Sequence, residues 1–152
     1  MHQIREWLYI GGYRNSTNTL LLQQCNVGAM LLFAEPIQHP GIESLYLHVD
    51  DGESIEPKII AQGLKFIREQ KSAGRVVLSA CGAGISRSTT FAIGALMEDE
   101  TLSWQEAYLS ILAHHPAAMP HASLMQSLLE YFGKDVPEFV TLWEIIARMQ
   151  QS

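Results

Sequence analysis

Short apolar runs with the character of buried strands alternate with helical patterns along most of this chain. The strand-like runs are WLYIGG (7–12), GAMLLFA (28–34), SLYLHV (44–49) and RVVLSA (75–80). Patterns with helical spacing occupy 15–27, 55–74, 88–100, 103–115, 122–133 and 136–150. Such alternation is typical of a sheet covered by helices. We therefore expect an α/β fold with a central mixed, mostly parallel sheet flanked by helices.

The chain has the length of a single domain and shows no internal boundary. Of its 152 residues, 47% are hydrophobic, and it contains no repeat, low-complexity segment or linker. A chain of this size buries one ordinary core. We expect residues 1–152 to form one domain, with an amphipathic helix in the C-terminal part, 134–152. That helix either packs on the domain or presents its apolar residues to a partner, namely Phe139, Leu142, Trp143 and Ile146.

Charge and hydropathy exclude several classes of partner. The net charge is −6, and the ten Lys and Arg residues are scattered singly, so no basic stripe is available for nucleic acid or an anionic membrane. No apolar run approaches the roughly 18 residues of a membrane span, and the N-terminus lacks a signal pattern. We expect a cytoplasmic protein with no nucleic-acid or membrane partner.

The segment VVLSACGAGISRSTT (76–90) places a cysteine where a strand, a turn and a helix meet. Arg87 follows Cys81 by six positions, with Gly82 and Gly84 between them. In such a turn, successive backbone N–H groups gather at a helix N-terminus and form a nest for an anion. The same dipoles and the Arg87 guanidinium would stabilise a thiolate, and the guanidinium matches two oxygens of a phosphate. The pattern favours an oxyanion site with a cysteine nucleophile.

Two other interpretations of this turn are open at this point. The segment could be an ordinary strand-to-helix corner, with Cys81 buried and Arg87 facing solvent. It could also be a dinucleotide-binding loop, because Gly82 and Gly84 begin a G-x-G-x-x-G pattern after a strand. Arg87 stands at the third glycine position, which disfavours the dinucleotide loop. The strand, turn and helix context disfavours the simple corner.

The longer segment VVLSACGAGISRSTTFAIGALM resembles the signature region of the cysteine-dependent dual-specificity protein phosphatases, whose pattern is His-Cys-x-x-Gly-x-x-Arg-Ser after a strand. The resemblance extends over about residues 4–133, through WLYIGG, CNVGAMLLFAE and the LYLHVDDGES loop. One position departs, because Ala80 stands where the family usually has a histidine that supports the loop and the thiolate. The resemblance implies removal of phosphate from phosphotyrosine and phosphoserine or phosphothreonine in proteins or peptides, without a metal or other cofactor.

The resemblance also implies a role for each residue of the site. Cys81 would attack phosphorus and form a phosphocysteine, and Ser88 would hydrogen-bond the departing thiolate. The general acid is expected in the VDDG loop, where Asp51 is the first candidate, Asp50 the second and Glu53 the third. Asp51 leads because the family's acid follows an apolar pair, here Leu47 and Val49, by two residues. The phosphate-binding residues would be Gly82, Ala83, Gly84, Ile85, Ser86 and Arg87.

The remaining features predict little chemistry of their own. No two of the six histidines have H-x3-H spacing, so we expect no metal site. Cys25 is expected to be a packed helix residue rather than a resolving thiol for Cys81. The uncharged loop residues favour phosphoproteins over inositol lipids, in which extra phosphates would call for lysines.

Two other functions stay open. One is a phospho-binding or scaffolding module without turnover, which only Ala80 favours. The other is a rhodanese-like sulfurtransferase, in which a cysteine loop carries a persulfide. The VDDG loop and the downstream helices do not favour the sulfurtransferase.

Overall fold

The computed structural model describes residues 1–151, whose centre is a five-stranded sheet with the order β1-β2-β5-β3-β4. The first strand pairs antiparallel with the second, and the other three pairings are parallel. The expected α/β fold with a mixed, mostly parallel sheet is confirmed. The last residue of the predicted domain, Ser152, lies outside the described residues. The strands are β1 His2–Arg5, β2 Leu8–Gly11, β3 Val27–Leu32, β4 Glu43–Tyr46 and β5 Val76–Ala80.

Helices cover both faces of the sheet. The larger hydrophobic cluster contains buried residues of α3 to α7, whereas Leu22 of α2 lies in a smaller cluster on the other face. In chain order, the helices of residues 1–151 are α1 Tyr13–Ser16, α2 Thr19–Gln24, α3 Pro57–Ser72, α4 Arg87–Glu100, α5 Trp104–Leu112, α6 Ala122–Tyr131 and α7 Phe139–Gln151. None of them is long and apolar enough to cross a membrane.

The structure differs from the sequence prediction in three places. The single helix predicted over 15–27 is two short helices, because the Asn18 side chain accepts from the Leu21 N–H at 3.1 Å and starts a second helix. The strand predicted over 44–49 ends at Tyr46. Strand β1 was not predicted, since only Ile4 of its four residues is buried and the segment has no apolar alternation.

Helix α4 fixes the position of the segment that follows β5. Ten consecutive residues of this helix, 88–97, are buried. The helix packs against α3, α5, α6 and the central strands β5 and β2. Because the carboxyl ends of parallel strands meet at one edge of a sheet, the α4 N-terminus lies beside the segments that follow β2 and β3.

The C-terminal helix α7 packs on the domain through one face. Leu142 and Ile146 are buried, and α7 contacts α6. Phe139 and Trp143, which share this apolar stripe in the sequence, are partly exposed at its edge, and Val140 is exposed. The Phe139 ring lies 5.9 Å from the His121 ring at the start of α6. The packed arrangement is therefore the one that the structure shows for this helix.

Candidate active site

The loop between β5 and α4, residues 81–86, is held from outside by donors to its carbonyl groups. Two of these donors are backbone N–H groups and the third is a histidine ring. Because the C=O and the following N–H of a trans peptide point in opposite directions, the N–H groups of residues 83, 85 and 86 face the concave side of the loop. The bonds are Tyr13 N–H to Gly82 O at 3.0 Å, Met119 N–H to Ile85 O at 3.0 Å and His115 Nε2 to Gly84 O at 2.7 Å.

The centre of this loop requires a glycine. Gly84 has φ of +74°, a conformation that L side chains rarely adopt. A Cβ at this position would lie 2.8 Å from the carbonyl carbon of Gly11, at the end of β2. The loop is therefore packed directly on the backbone that follows the neighbouring strand.

The thiol of Cys81 lies at the base of the loop. Cys81 is only 3% exposed, and its Sγ is 3.2 Å from the Oγ of Ser88 in the first turn of α4. Ser88 is itself buried, and its carbonyl accepts a hydrogen bond from the Ser79 hydroxyl at 3.1 Å. Gly82 and Ala83 are exposed, so the site opens to solvent at the mouth of the loop.

The Arg87 guanidinium is anchored at the same loop. Its Nη1 donates to the Val49 carbonyl at 3.0 Å and more weakly to the Phe33 carbonyl at 3.4 Å. A Cβ on Gly82 would lie 3.3 Å from Nη2, which places that nitrogen beside the start of the loop. Arg87 therefore ties the segments after β3 and β4 to the anion nest.

The two aspartates of the VDDG loop point to different partners. The Ser86 hydroxyl donates to Asp51 Oδ1 at 2.7 Å, so the Asp51 carboxylate contacts the loop that carries Cys81. Asp50 instead pairs with His48 at 3.2 Å, and its side chain is 57% exposed. Glu53 lies with Asp50 and His48 along a separate cavity. The geometry favours Asp51 over the other two carboxylates.

Helix α6 holds the aspartate loop by hydrogen bonds that the sequence analysis missed. The Ser123 hydroxyl donates to the Gly52 carbonyl at 2.7 Å, and the Ser127 hydroxyl accepts from the Ile55 N–H at 2.9 Å. The His121 N–H donates to the Ser86 hydroxyl at 3.0 Å. The spacing of Ser123 and Ser127 places both on one helix face, which was the available signal. Nothing in the sequence named what that face would contact.

Cys25 lies at the opposite end of the sheet from Cys81. It precedes β3, whose first residue Val27 pairs with Val76 at the start of β5. At about 3.3 Å per residue, the length of β5 separates the two cysteines by roughly 15 Å or more. A resolving-thiol role for Cys25 is excluded in this arrangement.

Ala80 faces away from the thiol. Its side chain is buried in the smaller hydrophobic cluster with Leu78 and Leu32, whereas Cys81 belongs to the larger cluster on the other face of the sheet. Within residues 1–151, no group of three or more His, Cys, Asp or Glu side chains could hold a metal ion.

Known proteins share both this sequence pattern and this architecture. Residues 8–134 match the family described as "Dual specificity phosphatase, catalytic domain". Human dual specificity protein phosphatase 16 is 33% identical over 132 residues, which cover 84% of this chain but 20% of that protein. Zebrafish (Danio rerio) dual specificity protein phosphatase 22-B is 27% identical over 135 residues, which cover 87% of this chain and 74% of that protein.

The structural comparison gives the same architecture. The crystal structure of the human tyrosine phosphatase-like serine/threonine/tyrosine-interacting protein superposes with a TM-score of 0.80 at 22% identity, over 88% of this chain and 95% of that one. At that identity the likeness concerns the fold. The family match excludes the sulfurtransferase interpretation. The chain belongs to the dual specificity protein phosphatase family, whose members are cysteine-dependent protein phosphatases, and residues 8–134 are its catalytic domain.

Proposed function

We propose that Cys81, Arg87 and Asp51 hydrolyse phosphate monoesters of proteins in two steps through a phosphocysteine. The observation that carries this proposal is the position of the Cys81 thiol. It lies at the N-terminus of α4, 3.2 Å from the Ser88 hydroxyl and within the loop anchored by Arg87. A nucleophile, an anion nest and a nearby carboxylate are the groups that phosphoryl transfer to a thiol needs.

In the first step, the Cys81 thiolate attacks phosphorus in line with the leaving oxygen. The N–H groups of the loop and the Arg87 guanidinium hold the three equatorial oxygens, whose charge is stabilised without rearrangement of the site. A sulfur–phosphorus bond forms as the phosphorus–oxygen bond breaks. Asp51 gives its proton to the departing oxygen, so the product leaves as a neutral hydroxyl.

In the second step, the ionised Asp51 accepts a proton from water as that water attacks phosphorus. The sulfur–phosphorus bond breaks, inorganic phosphate forms and Cys81 leaves as a thiolate. The Ser88 hydroxyl donates a hydrogen bond to that thiolate, which stabilises the leaving group. The cycle ends with Asp51 protonated again and with no change in the protein.

The proposed substrates are phosphotyrosine and phosphoserine or phosphothreonine residues of proteins or peptides. The family supports phosphorylated protein substrates. Support for the broader choice of residue is the exposure of Gly82, Ala83 and Ile85, which leaves the mouth of the loop open to a short phosphorylated side chain. These residues are also uncharged, which favours a single phosphate. A cytoplasmic location without nucleic-acid or membrane partners stays a prediction from the charge distribution.

Hydrolysis of p-nitrophenyl phosphate across pH, with a chelator present, tests this proposal. We expect turnover by the parent protein and its loss in Cys81→Ser. Cys25→Ser is the matched control, since it removes a thiol at the other end of the sheet and should retain full turnover. Activity that survives Cys81→Ser would contradict the thiolate mechanism.

A phospho-binding module without turnover is the second candidate. Ala80 favours it, and the solved structure named above belongs to a protein described as interacting with serine, threonine and tyrosine. A parent protein that releases no phosphate at any pH, yet binds a phosphopeptide in a manner lost in Arg87→Met, would support this candidate. The contacts of Cys81 with Ser88 and of Asp51 with Ser86 favour turnover instead.

A further inference from the structure

A buried histidine outside the proposed catalytic machinery contacts the phosphate loop. His115 follows α5 and is 3% exposed. Its Nε2 lies 2.7 Å from the Gly84 carbonyl. A carbonyl oxygen only accepts, so the ring must carry its proton on Nε2. The other nitrogen, Nδ1, is buried and has no hydrogen-bond partner among residues 1–151.

The hydrogen bond from His115 fixes the orientation of the peptide between residues 84 and 85. Gly84 has no Cβ, so its backbone can adopt several conformations, and the peptide between residues 84 and 85 can rotate. With the carbonyl bound to His115, the Ile85 N–H points the opposite way, toward the concave side of the loop. Without that bond, the carbonyl could turn inward and present an oxygen to the phosphate.

The N-terminal strand covers this histidine. The rings of His2 and His115 stack with centroids 3.8 Å apart and an angle of 9° between their planes. Burial lowers the pKa of the His2 imidazole. The His2 ring therefore lies flat against the ring that donates to the loop, and it covers that ring on one side.

We propose that His115 is a positioning residue, which aims the Ile85 N–H at bound phosphate, and that His2 shields the bond on which this depends. The inference rests on the proposed function, because it assigns the loop to phosphate. It also links the first residues of the chain to the catalytic loop. Removal of the His2 ring would then weaken phosphate binding through its effect on His115.

Two variants of His115 and one control distinguish the effect of its N–H donor from the effect of its ring. His115→Phe keeps a flat ring for His2 but removes the donor, and His115→Gln keeps an N–H donor without the ring. His114→Phe is the matched control, since His114 is the exposed neighbour on the same segment. The readouts are kcat and KM for p-nitrophenyl phosphate, inhibition by inorganic phosphate, and the melting temperature.

We expect His115→Phe to lower kcat/KM by about tenfold to a hundredfold and to weaken inhibition by inorganic phosphate by about tenfold, the effect of one misdirected donor. His115→Gln should recover most of this loss, His2→Ala should cost a few-fold, and His114→Phe should match the parent. If His115→Phe does not fold, His115→Met replaces it, because Met and Gln have similar length and differ in the donor.

Two results would overturn the inference. One is a folded His115→Phe with the parent's phosphate inhibition and kcat/KM. The other is a folded His115→Gln no better than His115→Met. If the parent itself shows no turnover, the proposed function fails, and calorimetric titration of the same variants with tungstate tests the positioning role separately. Equal tungstate affinity of parent and His115→Phe would then refute it.

Discussion

Replacing Gly84 with alanine tests how tightly the phosphate loop is packed on the end of β2. The change adds one methyl group at a residue with φ of +74°. That methyl would lie 2.8 Å from the carbonyl carbon and 2.9 Å from the oxygen of Gly11. Ordinary contacts of this kind are about 3.5 Å or longer. Because Gly11 is part of the sheet, the loop has to move and the strand does not.

The cost of Gly84→Ala has two parts. The left-handed conformation costs an L residue about 1–2 kcal/mol. Crowding against fixed backbone adds about 1–3 kcal/mol. The free energy of unfolding should therefore fall by about 2–5 kcal/mol, which for a domain of this size lowers the melting temperature by about 4–20 °C. Displacement of the loop amides should also reduce kcat/KM by about a hundredfold.

Gly74→Ala is the matched control for backbone strain. Gly74 has φ of +79°, but a Cβ there would meet nothing within 4 Å. This variant should lose about 1–2 kcal/mol of stability and keep the parent's kcat/KM. Thermal unfolding and p-nitrophenyl phosphate kinetics of the two variants, measured side by side, give both quantities. The reasoning is wrong if Gly84→Ala melts no lower than Gly74→Ala and turns over substrate at the parent's rate.

Two further predictions concern the C-terminal helix and the general acid. Leu142→Ala should lower the free energy of unfolding by about 2–4 kcal/mol, measured by heat or urea, because Leu142 is fully buried. Val140 is exposed, so Val140→Ala should change the free energy of unfolding by no more than about 0.5 kcal/mol. Equal effects of the two changes would mean that α7 does not pack as described. Asp51→Asn should lower kcat on a phosphothreonine peptide by about a hundredfold or more, and Asp50→Asn by a few-fold at most; the reverse order would transfer the acid role to Asp50.

Much of the fold could be predicted from periodicity. The central strands β3 and β5 are continuous apolar runs because they are buried on both faces, and such runs are the strongest signal for parallel strands. Strand β1 lies at the sheet edge, and its side chains are mostly polar or partly exposed. Strand β1 is held at the edge by its short connection to β2 and not by apolar burial. It therefore lacks the alternation of apolar residues from which strands were predicted.

The candidate site could likewise be predicted only in part. The strand, cysteine, glycines and arginine lie within one short segment, so local sequence sufficed to indicate the anion nest. The contacts of Asp51 with Ser86, and of His115 with Gly84, join residues far apart in the chain. A single sequence does not indicate which residues far apart in the chain come into contact. The sequence shows two adjacent histidines, 114 and 115, and only the structure shows that His115 is the one that contacts the loop.

Identification of the phosphorylated residue in the protein during turnover tests the central claim most directly. Asp51→Asn would be mixed with p-nitrophenyl phosphate, denatured rapidly and digested, and its peptides analysed by mass spectrometry. The account predicts one phosphoryl group on the peptide containing Cys81, absent from the peptide containing Cys25 and absent throughout the Cys81→Ser protein. A phosphoryl group on any other residue, or steady turnover with no phosphorylated Cys81 at any quench time, would contradict the account.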